Sequence, residues 1–210
     1  MTDANAALSA YILLDRSGSM ASRWEEALGS INAYVEELGE ARLTVAVFDS
    51  VDGLRFDVIR ERVPAPEWKP LTPADAHPRG QTPLLDALGR IAALAEAEGN
   101  ARTSIVVMTD GAENDSREVS LDAARAIVAR AKARGWQVVF LGADFDAFGE
   151  AGRVGVARGQ TINMKAGDYD MVTRAVARQM RRYRDTSEGV AFDDEDRGEP
   201  GGPGPGGEKA

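Results

Sequence analysis

Oxygen-bearing side chains recur at places where one fold could gather them. Asp15, Ser17 and Ser19 stand at alternate positions after an apolar run, in Asp15-Arg16-Ser17-Gly18-Ser19-Met20. Asp110 follows a second apolar run in Thr109-Asp110-Gly111, and Thr82 closes a long loop in Gly80-Gln81-Thr82-Pro83. Hydroxyls and carboxylates without histidine or cysteine suit a hard cation, Mg2+ or Mn2+. Gly18 lets its segment turn tightly, so that Ser17 and Ser19 point the same way. Thr82 before Pro83 reads as a helix N-cap followed by proline at the first helical position, with its hydroxyl beside the helix start. Magnesium takes about six oxygens and keeps several waters, so this set leaves a coordination position open. Alone, Asp15 to Ser19 reads equally as an Asx- or ST-turn, and Asp110-Gly111 as a strand-end turn. The convergence of three such segments is what points to a metal.

Bringing them together requires an open sheet. Tyr11–Leu14, Leu43–Phe48, Thr103–Met108 and Trp136–Leu141 are nearly continuous apolar runs, as strands covered on both faces must be. Helical patterns lie between them: Trp24, Leu28, Ile31 and Val35 share one face, Leu84, Leu88 and Ile91 another, and Leu121 and Val128 a third. Strand alternating with helix predicts βαβ crossovers, hence a doubly wound α/β fold with a mainly parallel sheet and helices on both faces. Leu54–Arg60 begins by alternating apolar with charged and follows the preceding strand after a short link, which predicts a hairpin and an antiparallel edge strand. Residues 61–81 then form a Pro-rich loop, long enough to return to the sheet's carboxyl edge and long enough to suggest function. Ligands of such sheets bind outside the carboxyl ends of the strands, where all three polar segments fall. A last helix is expected over 167–183, with Arg174, Arg178, Arg181 and Arg182 on a solvated face.

Asp15-x-Ser17-x-Ser19, the later Thr82 and the later Asp110 resemble the metal-ion-dependent adhesion site of von Willebrand factor type A domains, in order, spacing and strand placement, over about residues 8–165. Arg79-Gly80-Gln81-Thr82-Pro83-Leu84-Leu85-Asp86 and Thr109-Asp110-Gly111-Ala112-Glu113-Asn114 resemble small stand-alone bacterial and phage members. The resemblance implies Ser17, Ser19 and Thr82 as hydroxyl ligands, with Asp15 and Asp110 acting mainly through water. It implies a protein-binding module, not an enzyme, whose partner supplies an Asp or Glu carboxylate to the metal. The alternative is a Mg2+-dependent phosphohydrolase using Asp15 and the same metal. Haloacid dehalogenase-type enzymes need a second carboxylate two residues on, and here that position is Ser17. Neither a Gly-x-Ser-x-Gly elbow nor a phosphate-cradling P-loop is present.

Composition narrows the partners further. The chain of 210 residues carries a formal net charge of −9, which disfavours nucleic acid and anionic membranes. It has no cysteine, hence no disulfide and no thiolate site, and Met1–Ala10 shows no signal-like pattern, so a cytoplasmic place is expected. Residues 1–184 read as one domain and 185–210 as an acidic, Gly/Pro-rich disordered tail, dispensable for folding, built around Asp193–Asp196. His77, the only histidine, reads as an exposed loop residue. Asp49 and Asp144 read as turn residues, Asp86 as support for Thr82 or for the helix start, and Trp24 and Trp136 as packing residues; Trp68 could anchor a partner.

Overall fold

The computed structural model describes residues 7–143, 146–165, 167–193 and 196. Among these residues six strands form one sheet in the order β3-β2-β1-β4-β5-β6. They are β1 (Leu8–Asp15), β2 (Ala41–Ser50), β3 (Leu54–Pro64), β4 (Thr103–Thr109), β5 (Gln137–Ala143) and β6 (Thr161–Met164). Neighbours pair in parallel except β2 and β3, which form the antiparallel hairpin that the sequence predicts. Among the described residues five helices accompany them: α1 (Trp24–Leu38), α2 (Leu84–Glu98), α3 (Leu121–Ala133), α4 (Ala147–Arg153) and α5 (Tyr169–Thr186).

Alternation along the strands builds two cores, because successive side chains leave opposite faces of a strand. Ile12, Leu14, Val45, Val47, Val106 and Met108 face α1 and α5, meeting Leu28, Ile31, Val172, Val176 and Met180. Tyr11, Leu13, Phe48, Ile105, Val107 and Phe140 face the other way, onto Leu84, Leu88 and Ile91 of α2 and Val128 of α3. β1 is therefore buried along its whole length and sits between two parallel neighbours, so its end position is rigidly set.

Several boundaries differ from the sequence expectations. β3 continues to Pro64, which shortens the loop before α2. β6 and α4 have no counterpart among the predicted elements. The last helix runs to Thr186, and the chain beyond it packs: Val190 and Phe192 are buried in the α1/α5 core. The folded body thus reaches past residue 184 to Phe192, because these two apolar side chains fill space below β5. Asp194, Glu195 and residues 197–210 lie outside the described residues. Among the described residues no helix is long and apolar enough to cross a membrane.

Candidate metal centre

The end of β1 delivers the first group. Asp15 pairs with Phe48 of β2 and lies one step beyond the Leu14–Met108 pair with β4. Its carboxylate is fully buried there. One oxygen accepts the Ser17 amide at 2.7 Å and the other the Thr109 hydroxyl at 2.6 Å. Burial pushes the Asp15 pKa up to about 6, against those two bonds, which favour the charged form. A carboxylate so placed is stabilised by a proton or by a nearby cation.

The chain then enters a 3-10 turn, Gly18–Arg23. The Ser17 and Ser19 hydroxyls come to 3.1 Å, and Ser19 donates to Asp110 Oδ1 at 2.6 Å. The Gly18 amide donates to the Gly80 carbonyl at 3.1 Å, tying this turn to the long loop. Thr82, also buried, is clamped by Asn114, whose side-chain oxygen accepts the Thr82 amide at 2.9 Å and whose amide donates to the Thr82 carbonyl at 3.2 Å. A Cβ added at Gly111 would stand 3.4 Å from the Thr82 hydroxyl and 3.9 Å from that of Ser19. Glycine at 111 therefore leaves open the space onto which those hydroxyls face. All five expected side chains converge on one patch at the carboxyl edge of the sheet.

Thr82 does not cap α2, contrary to the sequence expectation. The helix starts at Leu84, with Pro83 in the capping position and no side-chain cap. Its first amides are satisfied from the loop after β4: Leu85 donates to Glu113 at 2.9 Å and Asp86 to the Ser116 hydroxyl at 3.1 Å. The Thr82 hydroxyl is thus left for another use.

Of the other residues singled out, Asp49 departs from the expectation, whereas His77, Trp24 and Trp136 lie where it put them. Asp49 is no turn residue; it is fully buried within β2, paired with Arg16 and with Arg79 Nε at 3.2 Å. His77 is exposed, and Asp144 lies outside the described residues. Trp24 and Trp136 are buried, and half-buried Trp68 donates to Asn32 at 3.1 Å, so its indole is committed to the body of the domain. Among the described residues no group of three or more His, Cys, Asp or Glu side chains could hold a metal, so any cation here depends on hydroxyls.

No sequence-family model matches the chain, and no curated relative does. Solved structures do resemble it. A manganese-loaded TRAP protein of Plasmodium vivax superposes with a TM-score of 0.59 at 16% identity, over 79% of this chain and 71% of that one. A von Willebrand factor type A structure from Catenulispora acidiphila gives 0.53 at 16% identity, over 84% and 43%. Proximal thread matrix protein 1 of the mussel byssus, its MIDAS motif occupied by zinc, gives 0.59 at 14%, over 84% and 48%. The chain spans less than half the length of these last two.

The fold is that of a von Willebrand factor type A domain.

Within this von Willebrand factor type A fold, several residues that sequence reasoning passed over hold the three loops. Thr109 fixes Asp15, Asn114 fixes Thr82, and Arg23 lies 3.4 Å from Asp110. Asp86 holds more than the helix start: its buried carboxylate accepts the amides of Arg117, Glu118 and Val119 at 2.8, 2.9 and 2.7 Å. The signal in the sequence is the polar run Thr109–Ser116, in which the side chains of Glu113, Asn114 and Ser116 accept main-chain amides.

Proposed function

We propose that this chain is a metal-dependent protein-binding module. In this reading Ser17, Ser19 and Thr82 hold a divalent cation of the Mg2+ or Mn2+ type through their hydroxyls, and Asp15 and Asp110 act mainly through water. The observation that carries the reading is the convergence of three hydroxyls and two carboxylates on one patch, beside the space that Gly111 keeps open. Bound there, the cation would supply an under-neutralised Lewis acid able to take an Asp or Glu carboxylate from a partner protein. Manganese in the TRAP structure and zinc in the mussel protein support a divalent ion.

The geometry favours docking over phosphoryl transfer. A nucleophilic carboxylate must reach its substrate, whereas Asp15 is wholly buried with both oxygens bonded. The one histidine is exposed on the long loop, away from the bonds that join the five side chains.

Titration calorimetry on chelated protein tests the metal. One Mg2+ or Mn2+ per chain is expected, and Asp110→Ala should weaken it roughly 10- to 100-fold, the usual cost of losing a group that orients ligands, with the fold retained. Partner binding should then appear in Mg2+, vanish in EDTA and weaken in Ser17→Ala and Thr82→Ala. Metal-dependent phosphoester turnover, lost in Asp15→Ala and unaccompanied by any metal-dependent protein partner, would reverse the assignment.

A further inference from the structure

One charged side chain on the rim of this patch has no task in the docking reading. Arg79 lies three residues before Thr82; its amide donates to the Arg16 carbonyl at 2.7 Å, and the next carbonyl, of Gly80, accepts the Gly18 amide at 3.1 Å. Its main chain is thereby fixed against the segment that carries Ser17 and Ser19. The Arg79 side chain is 44% exposed, and its Nε donates to Asp49 Oδ2 at 3.2 Å. That same buried oxygen also takes Nε of Arg16, whose other partner, Asp57, is 56% exposed.

Two guanidinium groups therefore share one buried carboxylate, and solvent screens the remaining acid. Of the two guanidinium groups Arg16 is buried and Arg79 is the exposed one, in a chain of net charge −9. A guanidinium has five N–H donors. Among the described residues Arg79 uses only Nε, which leaves its terminal edge for an acceptor. That edge grips a carboxylate through two parallel bonds. An arginine already oriented by an immobile acid loses less freedom on forming them. The neighbouring rim cations differ, since Arg117 pairs with Asp115 at 3.2 Å and Arg23 with Asp110 at 3.4 Å, each within the loops themselves.

We infer that Arg79 binds a second acidic residue of the partner, so that this surface takes a peptide segment bearing two acids, one for the metal and one for the guanidinium. The inference rests on the metal-docking reading.

The probes are acetylated, amidated Gly/Ser peptides carrying one Glu, or two Glu separated by none to three residues, titrated into the full chain in Mg2+. At least one two-acid spacing should bind roughly 10- to 100-fold more tightly than the one-acid peptide, the range expected of charge-assisted hydrogen bonds. Arg79→Gln should abolish that gain. It should leave Mg2+ affinity and one-acid binding within about twofold, because the Arg79 side chain bonds none of the five oxygen-bearing residues. Arg79→Lys should keep only part of the gain, because an ammonium lacks the planar fork. The Arg79 Nε–H resonance should move with the two-acid peptide and not with the one-acid peptide. If the one-acid peptide binds in Mg2+ and leaves in EDTA, but no spacing gains or the gain survives Arg79→Gln, this inference alone is overturned. If no peptide binds in a metal-dependent way, the docking reading itself fails, and this inference with it.

Discussion

The patch depends as much on what two glycines omit as on what the five oxygen-bearing residues supply. Gly80 adopts φ +70°, and a Cβ there would stand 2.2 Å from the Ser50 carbonyl oxygen, which itself accepts the Gln81 amide at 3.0 Å. Main chain meets main chain, so no rotamer change can relieve the clash. Gly80→Ala should cost roughly 1–3 kcal/mol of stability from backbone strain, and more if the Ser50–Gln81 pair opens. It should also weaken metal binding, because the Gly80 carbonyl is what holds the Gly18 amide. Thermal melts paired with metal titration check both, and an unchanged metal affinity would show that this tie is dispensable. The five oxygen-bearing residues were legible in the sequence because their types announce a hard-cation chemistry and their spacing matches strand ends. Thr109 was not, since its bond to Asp15 exists only through the pairing of β1 with β4. Nor was the pairing of Arg16 with Asp49, which spans 33 residues and looks in sequence like an arbitrary charge in a loop.

Among the elements, α2 and the loop after β4 act as one unit. That loop has little regular structure, yet Glu113 accepts the amides of Leu85, Asp115 and Ser116, and Asp86 accepts three more from Arg117 to Val119. The loop thus satisfies the exposed amides of the helix start while the helix organises the loop, and both ends of this exchange carry site residues, Thr82 and Asp110. Asp86→Asn keeps the shape but sets an NH2 group against an amide donor. The expected cost is roughly 2–4 kcal/mol, from one or more unsatisfied buried donors. Metal affinity should fall with it, whereas a core change of equal cost far from the site, such as Val128→Ala, should leave the affinity intact. Equal metal affinities in the two variants would mean that Asp86 serves stability only. The main architecture was legible here because long, continuously apolar strands and amphipathic helices carry strong periodicity. α4 and β6 were not: α4 has seven residues interrupted by Gly149 and Gly152, and β6 has four residues including Asn163. Segments that short are ordered by their neighbours and not by their own pattern.

At the scale of the whole molecule, composition misjudged the end of the body. Residues 184–210 carry eight acids and three bases, and averaging over them hides Val190 and Phe192. Both side chains are buried in the α1/α5 core, and their amides are spoken for: Val190 donates to the Gln137 side chain at 2.9 Å and Phe192 to the Gly159 carbonyl at 2.7 Å. The chain leaves α5 at Ser187, whose left-handed conformation turns it back beneath β5. Asp196 then accepts from Gln179 of α5 at 3.0 Å, closing the segment onto the helix that begins it. A strap held at both ends by hydrogen bonds and in the middle by an aromatic side chain belongs to the fold. Phe192→Ala should therefore cost about 3–5 kcal/mol, the usual range for a buried aromatic. For a domain of this size that corresponds to a fall in Tm of roughly 6–20 °C. Truncation after Thr186 should cost at least as much, since it also removes Val190 and leaves the Gln137 side chain without its Val190 donor. Glu188→Ala, which loses only an exposed ion pair with Arg182, should shift Tm by no more than about 2–4 °C. Metal affinity should be unchanged in all three, because the strap lies at the opposite end of the sheet from the patch that holds Asp15 and Thr82. A truncated chain that melts like the intact one would show that the strap only rests on the body, and would return the domain boundary to residue 184.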